Sequence, residues 1–255
     1  PVIVCRSTAE LEKMPAAGRL VGQVLTALSA KVAPGVTTAD LDAIAEGLIV
    51  DAGAIPAFKG YHGYPATICA SVNDEVIHGI PSGKRILQTG DIISIDVGAA
   101  LGGYYGDSAI TLPVGPISEA AAKLLRVTDE SLYKAIEMVR PGGRVSDIGH
   151  AVQAHVEAHG FSVVREFVGH GIGQQMHEDP QVPNYGEPGR GPRLAEGMVL
   201  AIEPMVNAGK PAVKVLSDGW TAVTRDRSLA AHFEHTVAVT ADGPWILTAR
   251  DTPVA

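Results

Sequence analysis

Five side chains in this 255-residue chain have the types and placement to hold divalent metal ions: Asp96, Asp107, His170, Glu203 and Glu234. In Asp91-Ile-Ile-Ser-Ile-Asp96-Val-Gly98 the apolar residues alternate, so Ile93, Ile95 and Val97 share one face of a strand and Asp96 the other. Asp107 follows the turn Leu101-Gly102-Gly103 on the returning strand. An even hairpin loop centred on Leu101 and Gly102 would set Asp96 directly opposite Asp107, with Cβ atoms roughly 4.5–5.5 Å apart. Carboxylates that close repel unless one is protonated or cations lie between them. Two divalent ions about 3.5–4 Å apart would remove the conflict. Glu203 ends a second strand, and Glu234 lies in Ala-His-Phe-Glu-His-Thr-Val-Ala-Val, which reads as its partner. His170 sits in Gly-His-Gly-Ile-Gly, where the glycines let the backbone approach a site closely. Four carboxylates and one imidazole favour Mn, Fe, Co or Zn over an ion that needs thiolate. A di-iron bundle oxidase also uses carboxylates, but presents them from helices.

Positioning these groups calls for a repeated scaffold. Residues 34–53, PGVTTADLDAIAEGLIVDAG, and 141–160, PGGRVSDIGHAVQAHVEAHG, lie 107 positions apart, Pro34 to Pro141. Each offers an N-cap (Thr38, Ser146), then helical apolar spacing: Leu41, Ile44, Leu48 and Ile49 in one, Ile148, Ala151, Val152 and Val156 in the other. Each stops at a glycine, Gly53 or Gly160. The strand from Gly90 to Asp96 recurs from Gly197 to Glu203 at the same offset. The repeat predicts an α/β (α+β) architecture: one catalytic domain over 1–255, with internal halves of roughly 1–110 and 111–255 related by a pseudo-twofold axis. The strands should join in one curved antiparallel sheet with helices on its outer face and the carboxylates at the seam. Further covering helices are expected near 9–31 and 117–139.

Composition narrows the partners. A 46% hydrophobic and 19% charged chain is not disordered. A net charge of −8 disfavours a nucleic-acid surface. No apolar run approaches the ~18 residues of a membrane span, and Pro1-Val2-Ile3-Val4 is too short for a signal-peptide core. A cytoplasmic protein with no membrane contact is therefore expected. Cys5 and Cys69 cannot build a disulfide framework and read as reduced, half-buried thiols. The stretch Gly186–Pro192 lacks the Gly-Lys-Ser/Thr ending of a phosphate loop and reads as a surface loop.

The stretches GYHGYPATICASVNDEVIHGIP (60–81), DIISIDVGA (91–99), GHGIGQQMHEDPQVPNY (169–185), AIEPMVNAG (201–209), DGWT (218–221) and FEHTVAVT (233–240) resemble the type I methionine aminopeptidases over nearly the whole chain. The resemblance implies a pita-bread fold with two divalent metal ions on the same five ligands. It implies that His78 and His177 are catalytic without binding metal, and that Glu203 moves a proton. A hydroxide between the ions would attack the scissile carbonyl. Tyr61, His62, Tyr64, Cys69, Met176 and Trp220 would line the methionine pocket together with His78 and His177. Phe58 stands where a small residue or cysteine is common in that family, and Met176 where an aromatic is common. The implied substrates are nascent polypeptides that begin with Met and continue with a small residue, met by a monomer near the ribosome. The spacing from His170 to Glu203 leaves no room for the helical insertion of type II enzymes, and the short form without the eukaryotic zinc-finger extension is expected. By that resemblance, a start at Pro1 would be expected if the reaction had removed a methionine ahead of it. A prolidase would share the fold but usually carries a larger N-terminal domain, and a non-catalytic relative would be expected to lose ligands. Of the remaining histidines, His155 reads as a packed helix residue. His232 and His235, flanking Glu234, are expected to point away from its face.

Overall fold

Apolar spacing sorts the chain into an outer layer of helices and an inner layer of antiparallel strands in the computed structural model, which describes residues 2–250. The reading of Pro1 as a processed terminus therefore lies outside the described residues. The N-terminal cover is two helices where one was expected, α1 (Thr8–Leu11) and α2 (Pro15–Ser29). Pro15 has no N–H to continue α1, and its fixed φ suits the first turn of α2.

The repeat helices α3 (Thr38–Asp51) and α5 (Val145–Ala158) keep the 107-residue offset, and α4 (Glu119–Glu137) packs beside α5. Their caps fall earlier than expected. The Thr37 hydroxyl accepts from the Asp40 N–H (3.1 Å), while the Thr37 N–H donates to the Asp40 carboxylate (2.9 Å). In α5 the Arg144 N–H donates to Asp147 (2.7 Å), and the Ser146 hydroxyl instead accepts from the Arg190 N–H. In both helices an aspartate three residues past the cap reaches back and fixes the first turn. The inward stripe of α3 is Leu41, Ala45 and Ile49 at i, i+4 spacing, which leaves Leu48 to one side and 38% exposed, against expectation. His155, at the corresponding position of α5, hydrogen-bonds Glu130 on α4 (2.9 Å).

Two main ladders face the helices. Strands β1 (Ile68–Val72), β2 (Ile92–Leu101) and β3 (Tyr104–Pro113) pair in that order, all antiparallel. The second ladder holds β4 (Gly169–Gly171), β5 (Glu178–Val182), β6 (Val199–Ile202) and, past β7 (Ala230–His232), the long β8 (His235–Thr240) with β9 (Gly243–Ile246) at its edge; its order is β9-β8-β6-β4-β5. The strands thus form several ladders instead of the single sheet expected. At the seam Ala109 and Glu234 exchange backbone bonds, Glu234 N–H to Ala109 carbonyl (2.9 Å) and the return (3.3 Å). To either side, hydroxyls replace the ladder: Thr236 Oγ1 accepts from the Asp107 N–H and donates to its carbonyl, and Thr111 Oγ1 does the same for His232. A hydroxyl that both accepts and donates satisfies paired backbone groups where direct bonding stops. Beneath, Ile68, Ile93, Ile95, Val97 and Ile110 are fully buried with Val21, Leu25 and Leu41 of the helices. Each such side chain contributes about 1.5–3 kcal/mol by leaving water. Among the described residues, no helix is long and apolar enough to cross a membrane.

Candidate metal centre and pocket

The hairpin between β2 and β3 turns on Gly102 and Gly103, both left-handed (φ 63° and 84°), as a two-residue type I′ loop requires. The loop therefore sits one residue later than expected, and Leu101 pairs with Tyr104. Asp96 lies opposite Ala109 and Asp107 opposite Gly98, so the direct carboxylate pair is corrected to a diagonal one. The partners between them are the smallest side chains available, which leaves space above the sheet.

Two rows of residues cross the strands on this face. Cys69, Asp96, Ala109 and Glu234 form the first by successive pairing. The second runs from Gly98 and Asp107 through Thr236 and Ala201 to His170. Glu203 follows immediately after β6. A Cβ at Gly169 or Gly171 would collide with the carbonyl oxygen of Ala201 or Asp179, so the glycines are what lets β4 carry His170 into the row. The five expected ligands thus gather where the two ladders meet.

His170 Nδ1 donates to the Gly171 carbonyl (2.8 Å), which leaves Nε2 facing Glu203 Oε1 at 3.5 Å and Asp107 Oδ2 at 3.7 Å. Asp107, His170 and Glu234 are buried, with ligand atoms all within 4.8 Å of one another. Asp96 Oδ1, Asp107 Oδ1 and Glu234 Oε1 are buried with no hydrogen-bond partner among the described residues. Burial, then the charges of Asp107 and Glu203, push both Asp96 and Glu234 far above the usual carboxylate range. Burial works to lower His170, but Asp107 and Glu203 outweigh it and raise it. Buried, unpartnered oxygens of like charge are costly unless cations compensate them. The donor set therefore fits hard or borderline divalent ions.

A cavity of about 420 Å³ opens over this cluster, and Asp96, Asp107, His170 and Glu203 form one end of it. Every expected substrate-contacting residue lines it, together with Phe58; Glu234 lies beneath, 1% exposed. A wider groove of about 990 Å³ runs along α4, lined by apolar residues such as Ile117, Leu125 and Phe233 together with Glu119, Lys123, Arg126 and Glu130 of that helix. His62 (φ 49°) and His78 (φ 61°) hold left-handed backbone conformations on the cavity wall, a strain of order 1–3 kcal/mol that the surrounding structure must sustain. The Tyr61 hydroxyl lies 2.8 Å from His177 Nδ1; in the tautomer that accepts this hydroxyl, the ring proton is on Nε2. Burial, then the neighbouring His170, depress His177 to about 4, and burial likewise lowers His78. The Tyr64 hydroxyl is engaged by the Ile68 and Gly79 carbonyls, so its ring alone faces the cavity, edge-on to Trp220. Burial raises both Tyr64 and the Cys69 thiol, so both stay neutral. Cys5 is exposed and Cys69 buried, and neither forms a disulfide. Phe58 and Met176 share one apolar cluster with Tyr64 and Cys69. A Cβ on Gly98 would lie 2.6 Å from Phe58 Cε1, so that glycine makes room for the ring.

One side chain contradicts the expectation. His235 does turn away, buried against Thr248 and Tyr133. His232 does not: its Nε2 lies 3.4 Å from Glu203 Oε2 and 4.0 Å from Glu234 Oε2. It stands two residues before Glu234, and strand alternation of period two puts both on one face. That count was the signal in the sequence.

A buried carboxylate–imidazole cluster at the seam of a duplicated α/β layer, opening into a part-apolar cavity, is the site of a metal-dependent hydrolase class. The chain belongs to metallopeptidase family M24, whose model matches residues 12–241. It is 58% identical to a methionine aminopeptidase of Clostridium acetobutylicum, over 97% of this chain and 99% of that one. The crystal structure of methionine aminopeptidase from Rickettsia prowazekii superposes with a TM-score of 0.96 at 44% identity, covering 97% of this chain and all of that one. The prolidase of Pyrococcus horikoshii shares the fold (TM-score 0.77, 25% identity), but this chain, 99% covered, spans only 65% of it. Within M24 the chain therefore groups with the methionine aminopeptidases, and the pita-bread fold expected from the sequence is the one observed.

Proposed function

We propose that this protein removes the N-terminal methionine from nascent polypeptides whose second residue is small, using two divalent ions (Co, Mn, Fe or Zn) on Asp96, Asp107, His170, Glu203 and Glu234. The observation that carries the reading is the set of buried, unpartnered carboxylate oxygens facing a cavity walled by Tyr64, Cys69, Met176 and Trp220. Bound divalent ions would supply a nucleophile at neutral pH by lowering the pKa of water to about 7, and would polarise the scissile carbonyl. The protein's own groups do the rest. Neutral His177 donates from Nε2 to the carbonyl oxygen as it gains charge. Glu203, partly open to the cavity, accepts the proton of the attacking water and returns it to the departing amine. His78 contacts the substrate amide. The apolar wall receives the methionine thioether, which gains about 0.3–1.5 kcal/mol from each good sulfur–aromatic contact. The carboxylate end receives the free α-amine, which limits cleavage to the first residue.

By the same family reading the protein acts as a cytoplasmic monomer on chains leaving the ribosome. The experiment is peptide hydrolysis by metal-stripped and metal-reloaded protein, comparing Met-Ala-Ser with Ala-Pro peptides. Reloading with Co, Mn or Fe should restore Met-Ala-Ser cleavage. Full turnover by protein shown metal-free by elemental analysis, or preference for Ala-Pro, would refute the proposal.

A further inference from the structure

We infer that His232 is a sixth metal ligand, so that the centre carries two imidazoles and two ligand triads that share Glu234. The inference rests on the two-metal reading above and adds a residue to it. Three observations carry it. His232 is 1% exposed, and its Nε2 has no hydrogen-bond partner among the described residues. Its backbone is pinned on the cluster's face by Thr111, whose hydroxyl accepts from the His232 N–H (2.8 Å) and donates to its carbonyl (2.9 Å). Finally, Glu203, His232 and Glu234 offer ligand atoms all within 4.8 Å of one another, as Asp107, His170 and Glu234 do.

The distances favour coordination over a direct hydrogen bond. An imidazole N–H donates to a carboxylate at about 2.7–3.2 Å, whereas His232 Nε2 stands 3.4 and 4.0 Å from its two carboxylates. Atoms each about 2.0–2.2 Å from a common ion stand about 3–3.5 Å from one another. His170, the expected imidazole ligand, shows the same wide spacing, 3.5 and 3.7 Å. The Glu203 carboxylate lies between the two rings, Oε1 toward His170 and Oε2 toward His232. Each ion would then find one imidazole and at least two carboxylates. A second neutral nitrogen also moves the centre's preference away from Mn, toward Fe, Co or Zn.

X-ray absorption of the protein loaded with two equivalents of Co should show two imidazoles per two ions, falling to one in His232→Gln. Glutamine can still donate a hydrogen bond to Glu203 but is a poor ligand, so it separates the two roles. Calorimetric titration of stripped protein should show the Zn affinity of one site weakened roughly 100-fold in both His232→Gln and His232→Ala, at or beyond the upper end for outer partners of metal ligands. Circular dichroism and thermal melting verify that the variants are folded; if they are not, the wild-type imidazole count decides. A wild-type count of one, or a His232→Gln protein that binds Zn within a few-fold of wild type, overturns the inference and leaves the two-metal reading standing. A protein that binds no stoichiometric divalent ion overturns both.

Discussion

Replacing His177 with alanine isolates the protein's own contribution to transition-state stabilisation. His177 Nδ1 lies 2.8 Å from the Tyr61 hydroxyl, and the tautomer that accepts it there offers the Nε2 proton to the substrate carbonyl. With the ring depressed to about 4, it is neutral at pH 7 by roughly a factor of 10³, and it acts as a hydrogen-bond donor, not an acid. Loss of one such oxyanion donor costs about 2.7–4 kcal/mol, so kcat should fall by roughly 10²–10³. His177 lies outside both ligand triads, so metal content should not change. Tyr61→Phe removes only the orienting bond, about 1 kcal/mol, and should lower kcat about 5-fold with KM nearly unchanged. Because burial depresses His177 to about 4, any acid limb of kcat between pH 5.5 and 7 would belong to other groups, and His177→Ala should leave its midpoint unchanged. The assay is steady-state hydrolysis of Met-Ala-Ser at saturating metal, with elemental analysis of each variant. A His177→Ala protein that retains wild-type kcat, or loses metal in proportion to activity, refutes the reasoning.

Three further outcomes follow from the geometry. In metal-stripped protein Asp96 and Glu234 are raised, so the folded state holds protons that the unfolded state has released; stability is present at low pH and lost as pH rises toward their folded values. The depressed His78, His177 and His235 act in the opposite sense only below about pH 6.5, so between about pH 6.5 and 8.5 the Tm of stripped protein should fall while that of loaded protein holds; a flat or rising profile for stripped protein counts against the buried-carboxylate account. In a Met-X-Ser series the crowded rim should reject Leu relative to Ala at X by at least ~3 kcal/mol, more than 100-fold in kcat/KM, and cleavage of Met-Leu-Ser and Met-Lys-Ser within a few-fold of Met-Ala-Ser would indicate a broader aminopeptidase. Gly98→Ala should drive the Phe58 ring into the cavity and raise KM for Met-Ala-Ser, an effect that Phe58→Cys in the same chain should reverse; an unchanged KM in Gly98→Ala would show that the ring has room to move.

What the sequence determined by itself were features whose cause is local or repeated. The helices α3 and α5, and the strands that lead to Asp96 and Glu203, were legible because the same periodicity recurs at a fixed offset, although β2 does not end at Asp96 but continues to Leu101. That Asp96, Asp107, His170, Glu203 and Glu234 would come together beside the residues of the cavity wall was legible because the motifs that carry them are dense. His232 was legible too, since period two alone places it beside Glu234. Other features were decided only in three dimensions. Whether Leu101-Gly102 or Gly102-Gly103 forms the turn depends on which residues take left-handed φ, and that choice moved Asp107 from opposite Asp96 to a diagonal. Leu48 has the right spacing for the core, but the stripe through Leu41, Ala45 and Ile49 claims it. Phe58 fits because Gly98, 40 positions further on, lacks a Cβ. The seam is joined by Thr111 and Thr236 hydroxyls as well as by backbone pairing. Local propensity and repetition act along the chain, whereas register, burial and carboxylate spacing depend on atoms that become neighbours only when both halves have closed.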